Sequence, residues 1–169
     1  MVARSPSPSL HPVLSGYHAD NGLVHRVVGK EAMDGTDAIR DLLATTETIA
    51  VVGCSPDPER DSHRVAAYLQ RVGYRVIPVN PWHDEILGER AYHDLASIPD
   101  GVSIDIVDVF RRPEYVLPIA EGAIARDAGA LWLQLGIANS AAERRATDAG
   151  LVVVSNRCIK VEHQLRFAS

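Results

Sequence analysis

Five short apolar runs recur along the chain with helical periodicity between them: Thr48–Val52 (TIAVV), Tyr74–Val79 (YRVIPV), Ser103–Val109 (SIDIVDV), Ala130–Leu135 (ALWLQL) and Leu151–Val154 (LVVV). Each ends near Gly, Asn, Asp or Ser, as strands buried on both faces often do. The segment after Glu59 carries Val65, Leu69 and Val72 on one helical face and stops at Gly73, a residue suited to a helix end. Pro113 fits the first turn of a helix bearing Val116, Ile119, Ala120, Ala123 and Ile124, with Gly129 beyond it. Asn139 or Ser140 caps an expected helix through Ala149, closed by Gly150, and a last helix is expected over Lys160–Phe167. Another starts near Thr36, with Ile39, Leu42 and Leu43 on one face.

Alternating strands and helices of this length require a parallel sheet with right-handed crossovers and helices on both faces. The expectation is a doubly wound α/β domain of three layers, helix, sheet and helix. At 169 residues the chain suits one such domain, placed at 36–169. Residues 1–35 combine Ser/Pro pairs with Gly, Asp and His and offer apolar content only over Leu23–Val28, which reads as a tail or docking arm. A formal net charge of −5 argues against a general nucleic-acid field. No apolar run approaches the ~20 residues of a membrane span, and the first residues have no apolar h-region, so a cytoplasmic protein is expected. Cys54 and Cys158 lack metal-binding spacing and are expected as free thiols.

In sheets of this kind ligands bind outside the carboxyl ends of the strands, where the strand order reverses. Five loops therefore matter, starting at Gly53, Asn80, Asp108, Gln134 and Ser155. The first, GCSPDPERDS, offers Gly53 for close backbone approach, the Ser55 and Ser62 hydroxyls, Arg60, and the start of a helix, whose dipole favours an anion. A dinucleotide fingerprint has three glycines in this turn and an acidic residue at the end of the second strand. Here only Gly53 is present, and the second strand runs from Val79 into Asn80 and Pro81. Neutral Asn80 points to a phosphorylated ribose or to no dinucleotide, and Pro81 gives a base an apolar edge; an ordinary NP turn fits equally. The third strand closes on Val109, followed by Phe110 and the arginine pair Arg111 and Arg112, which reads as a phosphate clamp or as a solvated pair. Gln134 and Gly136 follow the fourth strand, and Asn156, Arg157, Cys158 and Lys160 the fifth.

Together, VVGCSPDPERDSHRVAAYLQRVGYRVIPVNP, ILGERAYHDLASIP, DIVDVFRRPE, WLQLGIAN and VSNRCIKVEH resemble the small free-standing CoA-binding proteins, single Rossmann-like domains similar to the N-terminal domain of succinyl-CoA synthetase α subunits. The resemblance runs from about Thr48 to Leu165. It implies a coenzyme A site with the pyrophosphate near Gly53, Ser55 and Arg60, the adenosine near Val79, Asn80 and Pro81, and Phe110 and Arg111 closing over the nucleotide. The 3′-phosphate of CoA accounts for a neutral residue at position 80. His163, in KVEH, matches a family feature.

The synthetases carry a phosphorylated histidine in a second domain that has no counterpart here. No histidine pairs with a Ser or Cys in a triad-like arrangement, and the loose set His83, Asp84, His93 and Asp94 has no metal-ligand spacing, so neither catalytic residues nor a metal are assigned. The expected activity is binding of CoA or an acyl-CoA as a non-catalytic carrier, sensor or subunit module, with a protein partner open. The alternatives are an enzyme acting on acyl-CoA, for which Cys158 and Cys54 are the candidate nucleophiles, and an NADP-dependent oxidoreductase. Cys158 is expected either at the pantetheine end of the cleft, poised for a mixed disulfide with CoA, or buried as a small hydrophobe.

Overall fold

A computed structural model describes residues 35–168. Helix α1 (Gly35–Thr45) leads into strand β1 (Thr48–Val52), followed by α2 (Asp61–Arg71) and β2 (Arg75–Val79). A two-stranded hairpin, β3 (Glu85–Ile86) and β4 (Glu89–Arg90), precedes β5 (Ile106–Val109) and α3 (Val116–Ala125). The chain ends with β6 (Ala130–Leu133), α4 (Ser140–Asp148), β7 (Val152–Val154) and α5 (Ile159–Phe167). The expected N-terminal arm lies outside the described residues except for Gly35, which opens α1.

The five long runs form one parallel sheet in the order β2-β1-β5-β6-β7, with Ile49 opposite both Val76 and Ile106. Because side chains alternate along a strand, each run feeds two cores. Ile49, Val51, Val76, Ile106 and Trp132 pack against Ile39 and Leu43 of α1, Val65 and Leu69 of α2 and Ile159 of α5. Val52, Ile77, Val107, Val109, Leu131 and Val153 pack on the other side against Val116, Ala120 and Ala123 of α3 and Ala142 and Ala146 of α4. Each fully buried Val, Leu or Ile contributes roughly 1.5–3 kcal/mol. The alanines let α3 and α4 lie close to the sheet and to each other. This is the doubly wound, Rossmann-like three-layer fold.

Gly73 and Gly150 end α2 and α4 with positive φ of 102° and 95°, and each is followed by an amide returning to a carbonyl five residues back: Tyr74 to Leu69, and Leu151 to Ala146. Helix α3 closes the same way, but with Asp127 (φ 49°) in the left-handed position and Gly129 two residues further on. Gly129 is instead required by a close approach, since a Cβ there would stand 2.9 Å from the Asp105 carbonyl oxygen. The hairpin has no signature in the sequence, its strands being too short to show a period. Its Leu87–Gly88 turn has positive φ at both positions, and the returning Tyr92 donates to the Pro78 carbonyl, shielding the β2 edge.

Candidate functional site

The chain leaves β1 for β2 on one side and returns to β5 on the other, so the strand order reverses between β1 and β5. Gly53 sits at that point with φ 84°, and a Cβ would stand 2.7 Å from the Phe110 carbonyl oxygen and 2.9 Å from Cδ of Arg111. Only glycine permits both the turn and the approach. The Gly53 amide donates to Val79 O and the Phe110 amide to Val52 O, which locks the first three loops together.

The loop from Gly53 to α2 is held by its own short polar side chains. The buried Ser62 hydroxyl accepts from the Ser55 amide at 3.0 Å, the Ser55 hydroxyl accepts from the Asp57 amide at 3.1 Å, and Asp57 accepts from the Glu59 amide at 2.9 Å. His63 Nδ1 lies 2.9 Å from the Ser55 carbonyl oxygen. Ser62 thus shapes the loop from beneath. Arg60 occupies the N-cap of α2 and supplies no capping oxygen, while its exposed guanidinium lies 3.9 Å from Asp57. The helix therefore presents its positive end to the loop beside a cationic side chain.

Asn80 ties the second loop to the first: its amide donates to the Cys54 carbonyl at 2.8 Å, and its oxygen accepts from the Trp82 amide at 2.8 Å. Pro81 is exposed, as is the Trp82 ring at 83%. Val79 and Val109 turn their side chains into the core, so they reach the cleft through backbone alone. Phe110 is half-buried, and Arg111 lays its stem over Gly53 with its guanidinium 4.7 Å from the Tyr115 ring centre.

A second group gathers over β6 and β7. Gln134 is buried and donates to Asp108 Oδ1 at 2.6 Å. Gly136, with φ 78°, donates its amide to Asn156 Oδ1 at 2.9 Å, and Asn156 itself has φ 56°. The Arg157 carbonyl accepts from the Trp132 indole at 2.8 Å, and its guanidinium pairs with the buried Glu162 carboxylate at 3.0 Å. Arg157 is therefore engaged with α5. Cys158 is half-buried at the N-cap of α5, and Leu135 rises from the rim 66% exposed.

Two residues join the site without having been expected there, and a third, expected only as a loop start, takes a role of its own. Trp82 and Leu135 supply apolar surface at the rim, and nothing in their local pattern marks them as exposed. Asp108 is the third, and it has a signal in the sequence: an acidic residue in the middle of a run covered on both faces. It is fully buried, and burial pushes its carboxyl up to about 7 against hydrogen bonds from Gln134 and the Val109 backbone. Burial, and then the Asp108 charge, push the Cys54 thiol up to about 12, which leaves it protonated and inert. Among the described residues no group of three His, Cys, Asp or Glu side chains is arranged to hold a metal ion. Nor is any helix there long and apolar enough to cross a membrane.

An open parallel sheet with a glycine-fitted loop at its switch point defines the class of small Rossmann-like α/β domains. The family described as "CoA binding domain" matches residues 47–164, and the chain belongs to it. It is 44% identical over 125 residues to protein YneT of Bacillus subtilis, covering 74% of this chain and 91% of that one. A solved structure from Pyrococcus horikoshii superposes with a TM-score of 0.77 at 38% identity, covering 84% of this chain and all of the other. The acetate–CoA ligase (ADP-forming) I of Archaeoglobus fulgidus is 28% identical over 126 residues, which span 67% of this chain and 18% of the ligase.

Proposed function

We propose that the chain binds coenzyme A or an acyl-CoA along the carboxyl ends of its strands, as a cytoplasmic carrier, sensor or subunit module without catalysis of its own. The observation that carries this reading is the loop at the switch point, where Gly53 fits under Phe110 and Arg111 and α2 opens without a side-chain cap. Pyrophosphate lies against Gly53, Ser55, Arg60 and the start of α2, with Arg111 above it. Adenosine extends toward Asn80 and Pro81, where Trp82 offers a face to stack on. Asn80 contributes by being neutral and by bracing the loop rather than by spending its bonded amide on the ribose.

The other half of the ligand runs over β5, β6 and β7. Strands lie ~4.8 Å apart, so β7 is about 14 Å from β1. The pantetheine arm is about as long as four extended residues, also ~14 Å. Its thiol or acyl end then falls near Gln134, Leu135, Gly136, Asn156 and Cys158. An acyl-transfer enzyme would need a nucleophile or base there. Cys54 is sealed beneath the loop, which counts against it in that role.

The test is calorimetric titration with CoA and acetyl-CoA, beside mass spectrometry of small molecules released from freshly purified protein. Saturable binding of one or both, with no hydrolysis of the thioester, is expected. An absence of binding to either would defeat the reading.

A further inference from the structure

Asp108 stands on the central strand, below the loop that carries Cys54, and is 0% exposed. Oδ1 accepts from Gln134, whereas Oδ2 has no hydrogen-bond partner among the described residues. A buried carboxylate with an unmatched oxygen is costly, and a fold keeps one at such a position only where the neutral form is in reach. Among the described residues, the titratable groups on the surrounding elements offer it no cation. Cys54, in the loop above, is a neutral thiol. His63 at the start of α2 is bound to the Ser55 carbonyl. At the start of α5 stand Cys158, Arg157 and Glu162, the last two paired with each other, and Arg111 rests on Tyr115 across the loop.

We propose that Asp108 is the proton-binding member of the ligand site: a polyanionic ligand enters together with one proton, drawn from solvent onto the Asp108 carboxylate. This rests on the CoA reading above. The balance is simple. The ionised carboxylate accepts H⁺ at Oδ2, no other bond changes, and the proton returns to solvent when the ligand leaves. The driving force is like-charge repulsion between the phosphates over the loop and a carboxylate in the low-dielectric layer beneath it. Burial, set against the hydrogen bonds from Gln134 and the Val109 backbone, brings the unliganded group to about 7, so a neutral solution holds both forms and added phosphate selects one.

The experiment is calorimetry with CoA at pH 7.5 in two buffers of different ionisation enthalpy, on wild type and Asp108→Asn. Wild type is expected to take up roughly half a proton or more, and its affinity to fall up to tenfold per pH unit above that point. In Asp108→Asn that uptake disappears and binding at pH 8.5 is tighter than in wild type. Equal uptake in both proteins overturns the proposal while the CoA reading stands; absence of CoA binding by wild type overturns both. Should Asp108→Asn not fold, Gln134→Leu provides the second variant. It removes the donor that favours the carboxylate, so maximal uptake moves to higher pH, and an unmoved maximum overturns the proposal.

Discussion

At the scale of single residues the switch point is decided by what has no side chain and by what covers it. Gly53→Ala forces a Cβ into the Phe110 carbonyl at a positive φ, where an L residue is already strained. A loss of more than about 1 kcal/mol in chemical denaturation is expected, together with weakened CoA binding; unchanged stability would mean that the loop moves freely off Phe110. Arg111→Ala acts differently, since among the described residues its guanidinium rests on the Tyr115 ring and on no carboxylate. It should weaken CoA binding by about 1.5–3 kcal/mol, the range for a hydrogen bond to a charged group, and leave the melting temperature of the free protein nearly unchanged. Calorimetry showing wild-type affinity would return Arg111 to the solvated surface. Gly53 and Arg111 are legible in the sequence because a lone glycine after a strand and an arginine after a strand have local meaning. The roles of Ser62, Asn80 and Arg157 are not. Each is set by a partner brought near by folding: the Ser55 amide, the Cys54 carbonyl and the Glu162 carboxylate.

Among the elements, α5 shows why a motif can be visible without being interpretable. His163 shares a 2.7 Å hydrogen bond with the Tyr68 hydroxyl, stands edge-on to Tyr68 and Tyr74, and stacks on Phe167 at 4.9 Å. It joins α5 to α2, and Tyr74 continues the chain of contacts by donating to the Leu43 carbonyl of α1. Its role is to hold three helices on one face of the sheet, far in sequence from one another. Burial lowers the His163 pKa, so the unfolded chain takes its proton at a higher pH than the native protein does. Stability contributed by neutral His163 is complete above the unfolded value of ~6.5 and is lost as pH falls through the native one. Denaturation curves from pH 8 to 5 should show a decline that His163→Phe lacks; parallel declines would place the acid sensitivity elsewhere. The strands themselves are readable because a continuous apolar run has few alternatives. The β3–β4 hairpin is not, since two residues per strand carry no period, and the stop of α3 is not marked by a glycine because Asp127 takes a conformation that glycine usually fills.

For the molecule as a whole, one sheet with two separate cores fixes five loop starts along one edge, and ligand choice follows from what those loops lack. The residue that follows β2 is Asn80 rather than an acid able to grip an unmodified ribose, and the turn after β1 has no glycine besides Gly53 to admit a dinucleotide in the usual way. The same edge has a neutral Asn80, a cationic Arg60 and Arg111, and enough length toward β7 for a pantetheine arm. The central claim is therefore preference for CoA over NAD. Thermal unfolding of the full chain with each ligand tests it most directly. At a hundredfold excess over its dissociation constant, CoA should stabilise the fold by about 2.7 kcal/mol, seen as a rise of several degrees in melting temperature. Dephospho-CoA should give a smaller rise at the same concentration, and NAD little or none. Equal rises with NAD and CoA would contradict the account.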